Sequence, residues 1–180
     1  MYCTASGRKL SGSFFEVSPD AGSYRGEFLG LCAIHFFALS LEQFFKIEGG
    51  IRKICCDNQG ALKQLSWQRC RVRSGSPCAD LLRSLRTIKL QPTLKLSYEW
   101  VESHMDRFLI WHQMTLEQQL NTFCDNLAKQ GVARSIRLGF ERHGQQLLPK
   151  ESSAIFINGV KQTSRIDKPI RFGLSKIYAK

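Results

Sequence analysis

Hydrophobic and polar positions change period several times along the chain, and each change marks an element. Met1 to Thr4 and Arg8 to Val17, joined by the turn-like Ala5-Ser6-Gly7, predict a β-hairpin. Ser18 to Ser23 predicts a loop, with Ser23 placed to cap a helix from Tyr24 to about Phe45. That helix is apolar almost without interruption, which suits burial deep against a sheet. Gly49-Gly50 closes the segment, Ile51 to Cys56 reads as a short strand ending at Asp57, and Asn58 to Leu65 reads as a helix.

The second half is equally segmented. Ser66 to Pro77 is a basic loop, and Leu81, Leu82, Leu85 and Ile88 recur at helical spacing within Ala79 to Leu90. Pro92 separates this helix from Leu94, Leu96, Tyr98 and Trp100, which alternate with Lys95, Ser97 and Glu99 as a strand with one buried face should. After a loop from Glu102 to Met114, Thr115 and Gln118 form a capping box for a helix expected to stop near Gly131. Beyond residue 134, Ala154 to Val160 predicts a small hairpin about an Asn158-Gly159 turn, set in a basic tail. The order is β, β, helix, β, helix, helix, β, helix. Strands alternating with helices predict an α/β sheet wrapped by helices, with the active surface at strand ends.

Composition narrows the picture. A chain of 180 residues, 43% hydrophobic and 23% charged, supplies one ordinary core, so one domain over residues 1–133 and a basic extension over 134–180 are expected. The formal charge of +11 is concentrated in residues 46–90 and 131–180, on either side of a mildly acidic centre. Such a layout suits a polyanion lying over a carboxylate site; a solvated basic surface accounts for the charge alone equally well. Seven cysteines form no framework spacing, and several stand in apolar runs, which fits a reducing, intracellular compartment, nuclear or cytoplasmic. Zinc ligation by Cys70, Cys78, His104 and His112 has no CxxC or HxxxH pair behind it. The apolar run Leu29 to Leu41 is too short to span a bilayer, so no membrane partner is expected.

Three carboxylates stand where this layout can bring them together: Glu27 early in the first long helix, Asp57 at a strand end, and Asp125 on the last helix. Each also has an ordinary explanation. Glu27 can favour a helix N-terminus, Asp57 can cap the next helix, and Asp125 can be a solvated helical residue. All three have apolar neighbours (Phe28-Leu29, Cys55-Cys56, Phe123-Cys124), where an ionised carboxylate is costly unless paired or bound to a cation. Hard divalent ions are the natural partners of carboxylates gathered at one point.

Four segments carry a resemblance: Tyr24-Arg25-Gly26-Glu27-Phe28-Leu29-Gly30-Leu31, Cys56-Asp57-Asn58-Gln59-Gly60-Ala61-Leu62, Trp100-Val101-Glu102-Ser103-His104-Met105-Asp106 and Asn121-Thr122-Phe123-Cys124-Asp125-Asn126-Leu127-Ala128. In this order they resemble the motifs of type-1 ribonuclease H domains, in the form found in reverse-transcriptase polyproteins of retrotransposons. The resemblance covers roughly residues 1–133 and implies a ribonuclease H-like mixed sheet flanked by helices. It implies that Glu27, Asp57 and Asp125 hold two Mg²⁺ (or Mn²⁺) ions, with His104 as a mobile catalytic residue beside them. The implied activity is that of a hydrolase, an endonuclease cutting the RNA strand of an RNA/DNA hybrid. Lys63, Trp67, Arg69, Arg71 and Arg73 are the expected nucleic-acid-binding residues: the cations would hold phosphates, and Trp67 would either stack on a base or anchor its loop.

Two departures stand out. The family has a further aspartate on a central first strand, roughly one hairpin before Tyr2, and no such strand is present here; Asp20 is on the wrong side of the hairpin to replace it. The expected consequences are a fragment of a longer polyprotein, with impaired catalysis and a damaged sheet. The second departure is Glu102-Ser103, where the family usually has glycine just before the histidine. The competing expectation is a non-catalytic nucleic-acid-binding remnant that keeps the basic surface without metals.

Overall fold

Where the periodicity is strongest, the elements form. The computed structural model describes residues 1–13, 22–66, 72, 76, 78–89, 94–137, 156–157 and 160–161. Its described part is mixed α/β: four α-helices, a two-stranded parallel sheet and a short C-terminal hairpin. These fall into two compact units interleaved along the sequence.

The first unit contains the N-terminus, the sheet and the last long helix. β1 (Ile51–Cys56) runs parallel to β2 (Lys95–Trp100), with Ile51 opposite Lys95 and Cys56 opposite Trp100. Parallel strands need a long connection, and here it passes through α2 (Gln59–Ser66) and α3 (Ala79–Lys89). Period-two alternation puts Arg52, Ile54 and Cys56 on the buried side of β1. β2 alternates as expected, but Leu96 and Tyr98 are only half-buried and Trp100 is 47% exposed, so the predicted buried face is not realised at its end. At the N-terminus the described part of the hairpin shows one antiparallel bridge, Tyr2 with Lys9, and the expected strand beyond residue 13 lies outside the described residues. Gly7, at φ 65°, supplies the left-handed turn residue there, and Cys3 N–H donates to the Arg8 carbonyl at 2.9 Å.

α4 (Leu116–Arg137) begins at the predicted capping box. Thr115 N–H donates to Gln118 Oε1 at 2.9 Å, and Gln118 N–H to Thr115 Oγ1 at 3.3 Å. The helix does not stop near Gly131, which is buried within it, but runs six residues further. Two 3-10 turns, Met105–Arg107 and Trp111–Gln113, occupy the preceding loop, and the Gln119 amide ties that loop to α4 by donating to the carbonyls of Trp111 and Met114.

The second unit is built on α1 (Ser23–Phe45) packed against α3. Gly22, extended and without a side-chain cap, occupies the N-cap, so Ser23 is the first helical residue and not the predicted cap. Phe28, Leu31, Cys32, His35, Ala38, Leu39 and Glu42 form one buried stripe along α1. Leu81, Leu82, Leu85 and Ile88 form the corresponding stripe on α3. Each such Leu, Ile or Phe contributes about 1.5–3 kcal/mol on leaving water. Deep in this core the Arg25 guanidinium donates twice to Asp80, both bonds at 2.8 Å. The fully formed α1 is longer than the Leu29 to Leu41 run. An 18-residue window of mean hydropathy 1.6 makes it long and apolar enough to cross a membrane, a test that core helices also pass. Here the core contact is on view, since Arg25, His35 and Glu42 stand in the buried stripe and Arg25 is paired to α3. The C-terminal hairpin forms as predicted: β3 (Phe156–Ile157) pairs antiparallel with β4 (Val160–Lys161).

Candidate functional site

The first unit gathers polar chemistry at the C-terminal end of β1. Asp57 is the first residue past the strand and is half-buried. It does not cap α2. That role falls to Asn58, whose Oδ1 accepts from the Ala61 N–H at 2.9 Å. The Asp57 carboxylate is therefore free to turn elsewhere, and the Asn121 amide of α4 donates to its Oδ2 at 3.3 Å. The backbone of Asp57 is held as well: Trp100 at the end of β2 donates its indole N–H to the Asp57 carbonyl at 3.0 Å. Just before it, Val101 N–H extends the ladder to the Cys56 carbonyl at 3.2 Å.

One helical turn beyond Asn121, on the same face of α4, stands Asp125. Its Oδ2 lies 3.2 Å from His104 Nδ1, an ion pair whenever the imidazole is protonated. His104 adopts the left-handed conformation, φ 56°, at the start of the Met105–Arg107 turn. Histidine tolerates that region better than most residues, so the strained position falls on His104 itself and Ser103 need not be glycine. Cys124 reports on the same place. Although the residue as a whole is exposed, loss of water around its sulfur pushes the thiol up, and the carboxylates of Asp125 and Asp57 act in the same direction.

On the flank of the sheet, Lys53 Nζ lies 2.8 Å from both Glu99 Oε2 and Glu117 Oε1, linking β1, β2 and α4. The hydrogen bond from Lys53 is the largest of the effects that hold the Glu117 carboxyl below the ordinary range.

Of the residues expected to form a site, Asp57, His104 and Asp125 belong to the first unit, while Glu27 lies half-buried on α1 of the second. Lys63 is exposed on α2. Trp67, Arg69, Arg71 and Arg73 lie outside the described residues. Sequence reading gave no role to Asn121 or to the Trp100 indole. The i, i+4 spacing of Asn121 and Asp125 was a usable signal for the first, whereas the second depends on parallel register between strands 43 residues apart in sequence.

Chemically, Asp57 with Asn121 and His104 with Asp125 are two separate polar contacts one turn of α4 apart, and their carboxylates are the kind of donor that hard divalent cations prefer. No family model matches the chain, and no curated protein or solved structure is significantly similar to it.

Proposed function

We propose that the chain carries a ribonuclease H-like fold of retrotransposon lineage, whose chemistry is divalent-metal-dependent hydrolysis of the RNA strand of RNA/DNA hybrids. The observation that carries this reading is the placement of Asp57. It follows a parallel strand, is relieved of capping by Asn58, and faces the α4 side that also bears Asp125. The half-buried donors fit Mg²⁺ or Mn²⁺, and Glu27 is the third carboxylate that the reading assigns to them.

Bound cations would supply an activated water and neutralise charge at the departing 3′ oxygen. The chain's own residues do the rest. Asp57 and Asp125 provide the anionic oxygens, the Asn121 amide orients Asp57, and the His104 imidazole stands 3.2 Å from Asp125. Lys63 and the basic residues after it suit phosphate contacts.

The test uses the full chain with a labelled hybrid and Mn²⁺. Salt-dependent hybrid binding, and Mn²⁺ binding that falls at least tenfold in Asp57→Asn with an unchanged melting temperature, are expected. Hybrid binding with no cation binding would replace the hydrolase reading by the nucleic-acid-binding remnant. Absence of both would remove any tie to nucleic acid.

A further inference from the structure

We infer that Trp100 is a positioning residue for the cation site, acting through the backbone of Asp57. The inference rests on the metal-site reading above and goes beyond it, because no carboxylate or other obvious ligand is involved. β1 and β2 are in parallel register up to the Cys56 and Trp100 pair, and Val101 N–H continues the ladder onto the Cys56 carbonyl at 3.2 Å. The carbonyl of Asp57, one residue past β1, is met by the Trp100 indole N–H at 3.0 Å. A side chain thereby holds the backbone one residue past the strand, at the residue whose carboxylate the metal-site reading uses.

The peptide of a residue just beyond a strand can otherwise rotate, and its side chain swings with it. Asp57 is fixed at three points: its carbonyl by Trp100, its carboxylate by Asn121, and the following backbone by the Asn58 cap. The exposure of Trp100 points the same way. At 47% exposed it is a poor core residue, while indole is a donor that a carbonyl can use even at a wet strand end. Partners that orient a ligand typically change cation affinity by 10–100-fold when removed, and one acting through the backbone belongs at the lower end of that range.

The experiment compares the full chain with Trp100→Phe, reading Mn²⁺ affinity by electron paramagnetic resonance, melting temperature, and the carbonyl ¹³C shift of Asp57 without metal. Expected are a Mn²⁺ affinity about tenfold weaker, a moved Asp57 carbonyl resonance and a nearly unchanged melting temperature. A benzothiophene analogue of tryptophan at position 100, which keeps the shape and removes the N–H, should give the same result and serves if the phenylalanine variant does not fold. Undiminished Mn²⁺ affinity in both variants would overturn the positioning role while leaving the metal site standing. If the unaltered chain binds no Mn²⁺, or binds it equally well as Asp57→Asn, the metal-site reading fails and the inference falls with it.

Discussion

The two units use charge in opposite ways. In the α1/α3 unit, Arg25 and Asp80 are sealed in the core with side chains 6% and 5% exposed, each answering the other through two short hydrogen bonds. In the sheet/α4 unit, Asp57, His104 and Asp125 are only part-buried and make longer contacts of 3.2 and 3.3 Å. The apolar residues do not divide so cleanly: Phe28, Leu81 and Leu85 are fully covered but Phe44 and Phe45 of α1 are exposed, while in the other unit Ile54, Val101 and Met114 are buried and Phe123, Val132, Ile136 and Phe108 are exposed. A pair buried in this way and bonded twice at 2.8 Å is closed to water. Longer, half-wet contacts can be exchanged for a cation or a phosphate at modest cost, which on the proposed reading suits the sheet/α4 unit to ligand binding.

The comparison can be broken most sharply at the buried pair. Arg25→Met strands Asp80 in an apolar core and should cost about 3–5 kcal/mol, read as a shifted urea midpoint; adding Asp80→Leu should recover most of that loss. A loss under about 1 kcal/mol for the single variant would show that the pair is not sealed in solution. At the start of α4, Thr115→Ala removes one half of an exposed capping box and should cost about 1 kcal/mol, with faster amide exchange confined to the helix's first turn. Exchange spreading into α3 would contradict the division into two units.

The smallest effect is a pH dependence. The folded-state value of Glu117 is lowered chiefly by the Lys53 hydrogen bond, so its contribution is present above the unfolded carboxylate value and disappears as pH falls through the lowered one. Melting temperature followed from about pH 6 to about pH 3 should decline slightly less in Glu117→Gln than in the unaltered chain. The pair is exposed, which keeps the difference small.

Local signals were legible in the sequence. IRKICC, the Thr115 and Gln118 pair and the leucines of α3 each carry their structure within a few residues, and each formed as expected. Errors arose where a local signal met packing. Gly131 reads as a stop in isolation, yet it is buried within α4; Ser23 is a good cap by type, but Gly22 has the extended backbone at that place. The alternation of β2 was correct and its depth was not, since Trp100 stands at the strand end. The site was legible as residue types and order. Its contacts were not, because Asn121 reaches Asp57 across 64 residues and only the folded register decides that meeting.

The neighbouring assignments of Asp57 and Asn58 have an evolutionary corollary. Since the amide secures α2 by itself, position 57 can drift to a residue that grips no ion without unwinding anything. On the proposed reading, a lineage could therefore lose its hold on cations by a single codon change and still present an intact surface, and selection on folding alone would never notice the loss.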